Sequence, residues 1–330
     1  MLPFQVAIVL LIFIAASILA LLRGSAAIVL YHAIFTIAIV PLILGAMVHF
    51  VPVLTRSRSP GRIILILPMV ALIGGVLVTS HFAFPQAAPY NQYFGAAIIV
   101  MVVASLWYWA YRSGSKAIGT PHPCLNWYLA AMTCLLIAIV AIFISYLIPS
   151  QRAALRLLHL HLNTLGFIGI TALGTLQVLL PTTAQRIDPA ASARMCRHLK
   201  WVVAGTFLIA CGAAWHPSFA WVGLALLTIP LAGIFKSWLP LYSREIFTLH
   251  GATPALAAAT CGYAIALALG TAHAYHYPFN PVATFIIAFL MPLVMGAVGY
   301  LLPLWLRPGQ QTDWHKAAGS IWGLEVACAL

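Results

Sequence analysis

Residues 157–161 read Leu-Leu-His-Leu-His and open an almost wholly apolar run that continues to Pro181. Imidazole in a hydrocarbon setting costs free energy unless both ring nitrogens are satisfied. The four acids, Asp188, Glu245, Asp313 and Glu325, all fall outside the apolar runs. Histidines inside those runs must therefore bond backbone, hydroxyls or a metal. Neutral imidazole is a common metal ligand. Residues two apart on a helix point about 200° apart. His159 and His161 thus serve two centres, or one centre and one outer contact, and Asn163 is placed to orient a ligand.

A second histidine is tied to this pair by an internal repeat. Three apolar runs end alike: LGAMVHFVP, LGTLQVLLP and MGAVGYLLP. In each, a Gly precedes a Pro by seven residues: Gly45 and Pro52, Gly174 and Pro181, Gly296 and Pro303. The Gly allows close helix contact, and the Pro ends or kinks the helix. Thirteen residues before Gly45 is His32, and thirteen before Gly174 is His161; Ala283 holds that place in the third copy. Two histidines at equivalent places can face one another across a bundle, as the axial positions of a haem iron require. His273 and His276 are a further pair, at i and i+3. On one helical face they could chelate a metal such as copper.

The elements that must position these residues are membrane helices. The chain has 330 residues, 63% hydrophobic and only 6% charged, against roughly a quarter charged in soluble domains. Apolar runs near 20 residues read as transmembrane helices. Ten are expected: 3–22, 27–54, 62–83, 92–112, 126–148, 156–181, 198–214, 219–238, 254–276 and 281–306. The first has no charged leader and no small-residue cleavage site and reads as a retained helix. The segment 313–330 opens like an eleventh.

The expected fold is an all-α polytopic transmembrane bundle in one domain, 1–330. It is built from three pseudo-symmetric four-helix units, about 1–112, 126–238 and 254–330. The third stops short, so a whole architecture would hold twelve helices and the chain reads as a fragment of a longer protein.

Net charge is +12. Nucleic-acid binding is not the reading, because nearly all Lys and Arg sit in loops between apolar runs. Arg56, Arg58 and Arg62 follow span two, Arg112 and Lys116 span four, and Arg186, Arg194, Arg197 and Lys200 span six. Loops after spans three, seven and nine carry none. The positive-inside rule then puts the N-terminus in the cytoplasm, as in a bacterial inner membrane. His32, His81, His159, His161, His216, His273 and His276 fall on the outer side. His49, His122, His198, His250 and His315 fall on the inner side. Six cysteines form no CxxC and read as apolar fillers.

With YHAIFTIAIVPLILGAMVHFVPVLTR and HLHLNTLGFIGITALGTLQVLLP side by side, the chain resembles the haem-copper oxidase subunit I superfamily, including its nitric-oxide-reductase branch, and NnrS-type haem proteins. That resemblance implies twelve helices in three sets of four. It matches His32 to a low-spin haem ligand, and His159 and His161 to an HxH serving one haem each. The implied protein binds haem b, with copper as a second metal. It meets a small gas, NO or O2, and takes electrons from a donor or partner subunit. The sequence has no His-His pair, no histidine in span ten and no intramembrane acid, so proton-pumping oxygen reduction is not implied. Two other readings stay open: a copper-handling or solute transporter without haem, and a non-catalytic scaffold.

Overall fold

The computed structural model describes residues 1–21, 27–248 and 251–306. His250, His315 and the segment 313–330 lie outside the described residues. What is described is 86% helical with no strands.

Ten helices match the ten expected spans: α1 Leu2–Leu21, α2 Ala27–Thr55, α3 Arg62–Ala83, α4 Asn91–Ser115 and α5 Cys124–Leu147, then α6 Pro149–Thr183, α7 Ala191–Ala214, α8 Pro217–Ile246, α9 Ala252–Ala274 and α10 Pro281–Leu306. Nine are long and apolar enough to cross a membrane. The tenth, α7, starts seven residues earlier than the sequence suggested. Its first half carries Arg194, Arg197 and Lys200. The molecule is a multi-pass helical membrane bundle. Large apolar side chains such as Leu11, Ile63, Ile66 and Met101 are exposed on its spans, as lipid contact requires.

Contacts divide the chain within α6 into two compact units, Met1–Ile168 and Gly169–Leu330. In the first, α2 packs on α1 and α3, α3 on α4, α4 on α5, and α5 on the start of α6. In the second, α7 packs closely on α8, and α9 packs on α10 and on the second half of α6.

Three helices depart from α geometry at matching places. A π-helical segment occupies Ala33–Ile39 of α2, Leu162–Ile170 of α6 and Phe285–Leu290 of α10. Two of them have a local cause in proline. Pro41 and Pro292 each follow a segment by two residues, and each lacks the N–H an α-helix would use and crowds the carbonyl four residues back. A wider turn relieves both problems. The exposed backbone is then met by a glycine from a neighbouring helix. A Cβ on Gly75 would strike the Thr36 carbonyl, and one on Gly262 the Ala288 carbonyl.

Other features recur between the repeats. Pro52 and Pro181 sit inside the last turn, and the helices run on to Thr55 and Thr183. The helices thus end one and two residues beyond the expected 54 and 181. Each proline carbonyl accepts the amide five residues on, Ser57 at 3.0 Å and Arg186 at 3.1 Å. The intervening Arg56 and Gln185 are both left-handed, at φ 51° and 53°. These are Schellman-type ends. Gly74 of α3 crosses Gly95 of α4, and Gly205 of α7 crosses Gly223 of α8. Gly45 receives the Gln5 side chain, and Gly296 the Leu256 side chain.

Candidate functional site

α2, α3 and α6 bring histidines to one end of the first unit. His32 closes the α-helical turn of α2 just before its π-helical segment, and His161 closes that of α6 just before its own. The equivalence extends to hydrogen bonding. His32 Nδ1 lies 2.8 Å from the Ile28 carbonyl and His161 Nδ1 lies 2.8 Å from the Leu157 carbonyl, each four residues back.

His159 points elsewhere. Its Nδ1 lies 2.9 Å from the Ala138 carbonyl of α5. The two rings of the HxH therefore diverge, as residues two apart on a helix should. His81, in the last turn of α3, places Nδ1 3.1 Å from the Ala88 carbonyl. A carbonyl can only accept. All four Nδ1 atoms must therefore carry a proton, and in the neutral form of each ring Nε2 is then the bare nitrogen. That is the tautomer a metal ligand needs, with backbone as its outer support.

His32 stacks on Phe82, with ring centroids 4.1 Å apart and planes 28° apart, and His81 meets the edge of the same ring at 5.2 Å. His32 lies within electrostatic reach of both His159 and His81. The sequence pairs His32 with His161, and both rings bond within their own turns; His159 and His81 are further imidazoles within electrostatic reach of His32.

Hydroxyl and amide side chains steady the backbone here. Thr36 Oγ1 donates to the His32 carbonyl at 2.7 Å and lies 3.2 Å from Thr79 Oγ1. Asn163 Nδ2 donates to the His159 carbonyl at 2.7 Å, and Thr164 Oγ1 to the Leu160 carbonyl at 2.8 Å. Such back-bonding four residues away accompanies bent helices. Asn163 holds backbone, whereas the sequence reading gave it to a ligand.

His81 is the residue that sequence reasoning left out of the site. Its signal was HFAF at the end of α3, matched by HPSF (216–219) after α7. His216 itself is exposed beside Phe219. His273 and His276 do not share a helical face: α9 ends at Ala274, and His276 follows in left-handed conformation at φ 65°. Both are exposed. Among the described residues, no three His, Cys, Asp or Glu side chains gather closely enough to hold a metal ion by themselves. A haem iron asks for only two axial ligands, and the donor set of neutral imidazoles with bare Nε2 fits it.

His122 and His198 use Nδ1 differently. His122 Nδ1 accepts the Cys124 amide at 3.2 Å, which puts its proton on Nε2. His198 is buried and its Nδ1 has no partner. It lies one turn from Arg194, whose guanidinium is buried against Asp188 at 2.7 Å, Gln177 at 2.8 Å and Ser237 at 2.7 Å. This cluster ties α6, α7 and α8 together within the second unit. The described cysteines are free.

Fold and site define a class: a multi-pass helical membrane protein with backbone-anchored histidines at one end of its first unit. Compared with protein-family models, curated proteins and solved structures, the chain matches none.

Proposed function

We propose that the chain is a haem-binding integral membrane redox protein with a His-ligated haem b near the outer face. What supports this most is the shared tautomer: His32, His159 and His161 each give Nδ1–H to a backbone carbonyl and keep Nε2 bare. His32 and His159, which lie within electrostatic reach of one another, would be the residues to hold the haem, and His161, whose ring diverges from that of His159, would serve a second centre. Bound haem would supply one-electron transfer or the binding of a small gas, NO or O2. The chain's own part is to fix imidazole direction through carbonyls and to set Phe82 against the His32 ring. Copper remains a second metal in this reading, as does a separate electron donor or partner subunit. The setting is a bacterial inner membrane, with the N-terminus in the cytoplasm.

The test is haem content per purified chain. The wild type should carry haem b, and His32→Ala and His159→Ala should each lose most of it. His273→Ala with His276→Ala should leave haem unchanged. Stoichiometric copper in a protein without haem would replace this reading with the copper-handling one.

A further inference from the structure

We infer that Arg56, Arg58, Arg62, Arg112 and Lys116 form a binding surface for the phosphate headgroup of an anionic phospholipid. The first observation is compositional. Residues 1–168 contain eight Lys and Arg and no Asp or Glu. No cation of the first unit can be neutralised by a carboxylate of that unit. The second unit is built differently: Arg194 pairs with Asp188 at 2.7 Å and Arg186 with Glu245 at 3.5 Å.

The second observation is geometric. Five of the eight cations lie on the loop between α2 and α3 and at the end of α4, at the same end of the helices. These loops are joined. The His122 amide donates to the Leu54 carbonyl at 2.9 Å. Arg56 Nη1 reaches over Gly119, within 3.7 Å of where a Cβ would sit, and Gly119 itself holds φ +80°. The left-handed turn at Arg56 projects the Arg56–Arg58 segment off the end of α2. All five side chains are exposed.

The third observation is what borders the cluster. Val53, Ile63, Tyr108 and Ile118 are all more than half exposed, and Arg112 lies 5.8 Å from the Tyr108 ring centroid. Cations beside exposed apolar and tyrosine side chains match a molecule with an anionic head and an acyl tail. The positive-inside rule accounts for the cations' side of the membrane. It does not supply their counter-charge, which in the first unit must come from outside the unit. Juxtamembrane basic clusters draw it from anionic lipid.

The experiment uses the full chain in nanodiscs of phosphatidylcholine, with and without phosphatidylglycerol, followed by native mass spectrometry and thermal unfolding. We expect phosphatidylglycerol to be retained and to raise the unfolding midpoint. Arg56→Gln/Arg58→Gln/Arg62→Gln should weaken retention more than about tenfold, while Arg152→Gln/Arg156→Gln should retain it. If the triple variant does not fold, the single Arg58→Gln and a salt titration of the wild type give the same reading, with retention falling as salt rises. Equal retention in wild type and variant would overturn the proposal. So would an equal rise in midpoint from inorganic phosphate or glycerol phosphate in pure phosphatidylcholine, which would make the surface a soluble-phosphate site.

Discussion

At the scale of single residues, tautomer and burial separate the histidines into kinds. Four hold Nδ1–H on backbone carbonyls, and His122 accepts a backbone amide through Nδ1. Burial holds His122 below its ordinary value of 6.5. The folded state therefore prefers neutral imidazole, and the unfolded chain takes up a proton more readily as pH drops. Stability from His122 should be present above about pH 6.5 and lost as pH falls through the folded-state value. Unfolding midpoints between pH 5 and 7.5 should show this acid limb, and His122→Gln should flatten it. Arg194 makes a larger claim. Its loss leaves the buried Asp188 without its charge partner, with only the Ala190 amide still donating to it, and breaking a buried pair costs about 3–5 kcal/mol. Arg194→Gln should lower the midpoint strongly, and adding Asp188→Asn should restore part of it. A midpoint unchanged in Arg194→Gln would remove the clamp from the account.

At the scale of elements, the π-helical segments decide where His32 and His161 sit, because each wide turn shifts the helical phase of everything before it. Gly75 is the counterpart that lets α3 meet the Thr36 carbonyl. Gly75→Ala should force α2 and α3 apart at a cost of about 1–3 kcal/mol, read as a lower midpoint, with haem content falling alongside. A Gly61→Ala control, which meets nothing within 4 Å, should change neither.

The spans were legible because lipid demands continuous apolar length; most observed ends lie within a few residues of the expected ones, while α6 starts seven residues earlier and α8 ends eight residues later. The error at α7 arose because Arg194, Arg197 and Lys200 break the apolar run while the helix continues through them. Arg194 can do so because Asp188, Gln177 and Ser237 satisfy it, a tertiary fact that local composition does not carry. The π-helical segments did have a sequence signal: Pro41 and Pro292 stand at the same offset as Gly45 and Gly296. His81 was harder to read, since its place beside His32 depends on how α3 packs on α2.

At the scale of the whole molecule, topology and cofactor stand as the two linked claims. The proposed cytoplasmic N-terminus predicts that reporters inserted at 84–90 are active outside and those at 116–122 active inside. The reverse pattern would move the histidine cluster to the cytoplasmic face. His32 and His161 were legible as equivalents because a chain repeat carries register through sequence alone. Which histidine stands beside His32 was not, because contact between helices depends on crossing geometry.

The central claim is met most directly by a dithionite-reduced minus air-oxidised absorption spectrum of the purified protein, taken beside His32→Ala and His159→Ala. The wild type should show a b-type band that both substitutions abolish or shift. A flat wild-type spectrum, or a band that both variants keep unchanged, would contradict it and leave the four histidines as backbone-anchored structural groups.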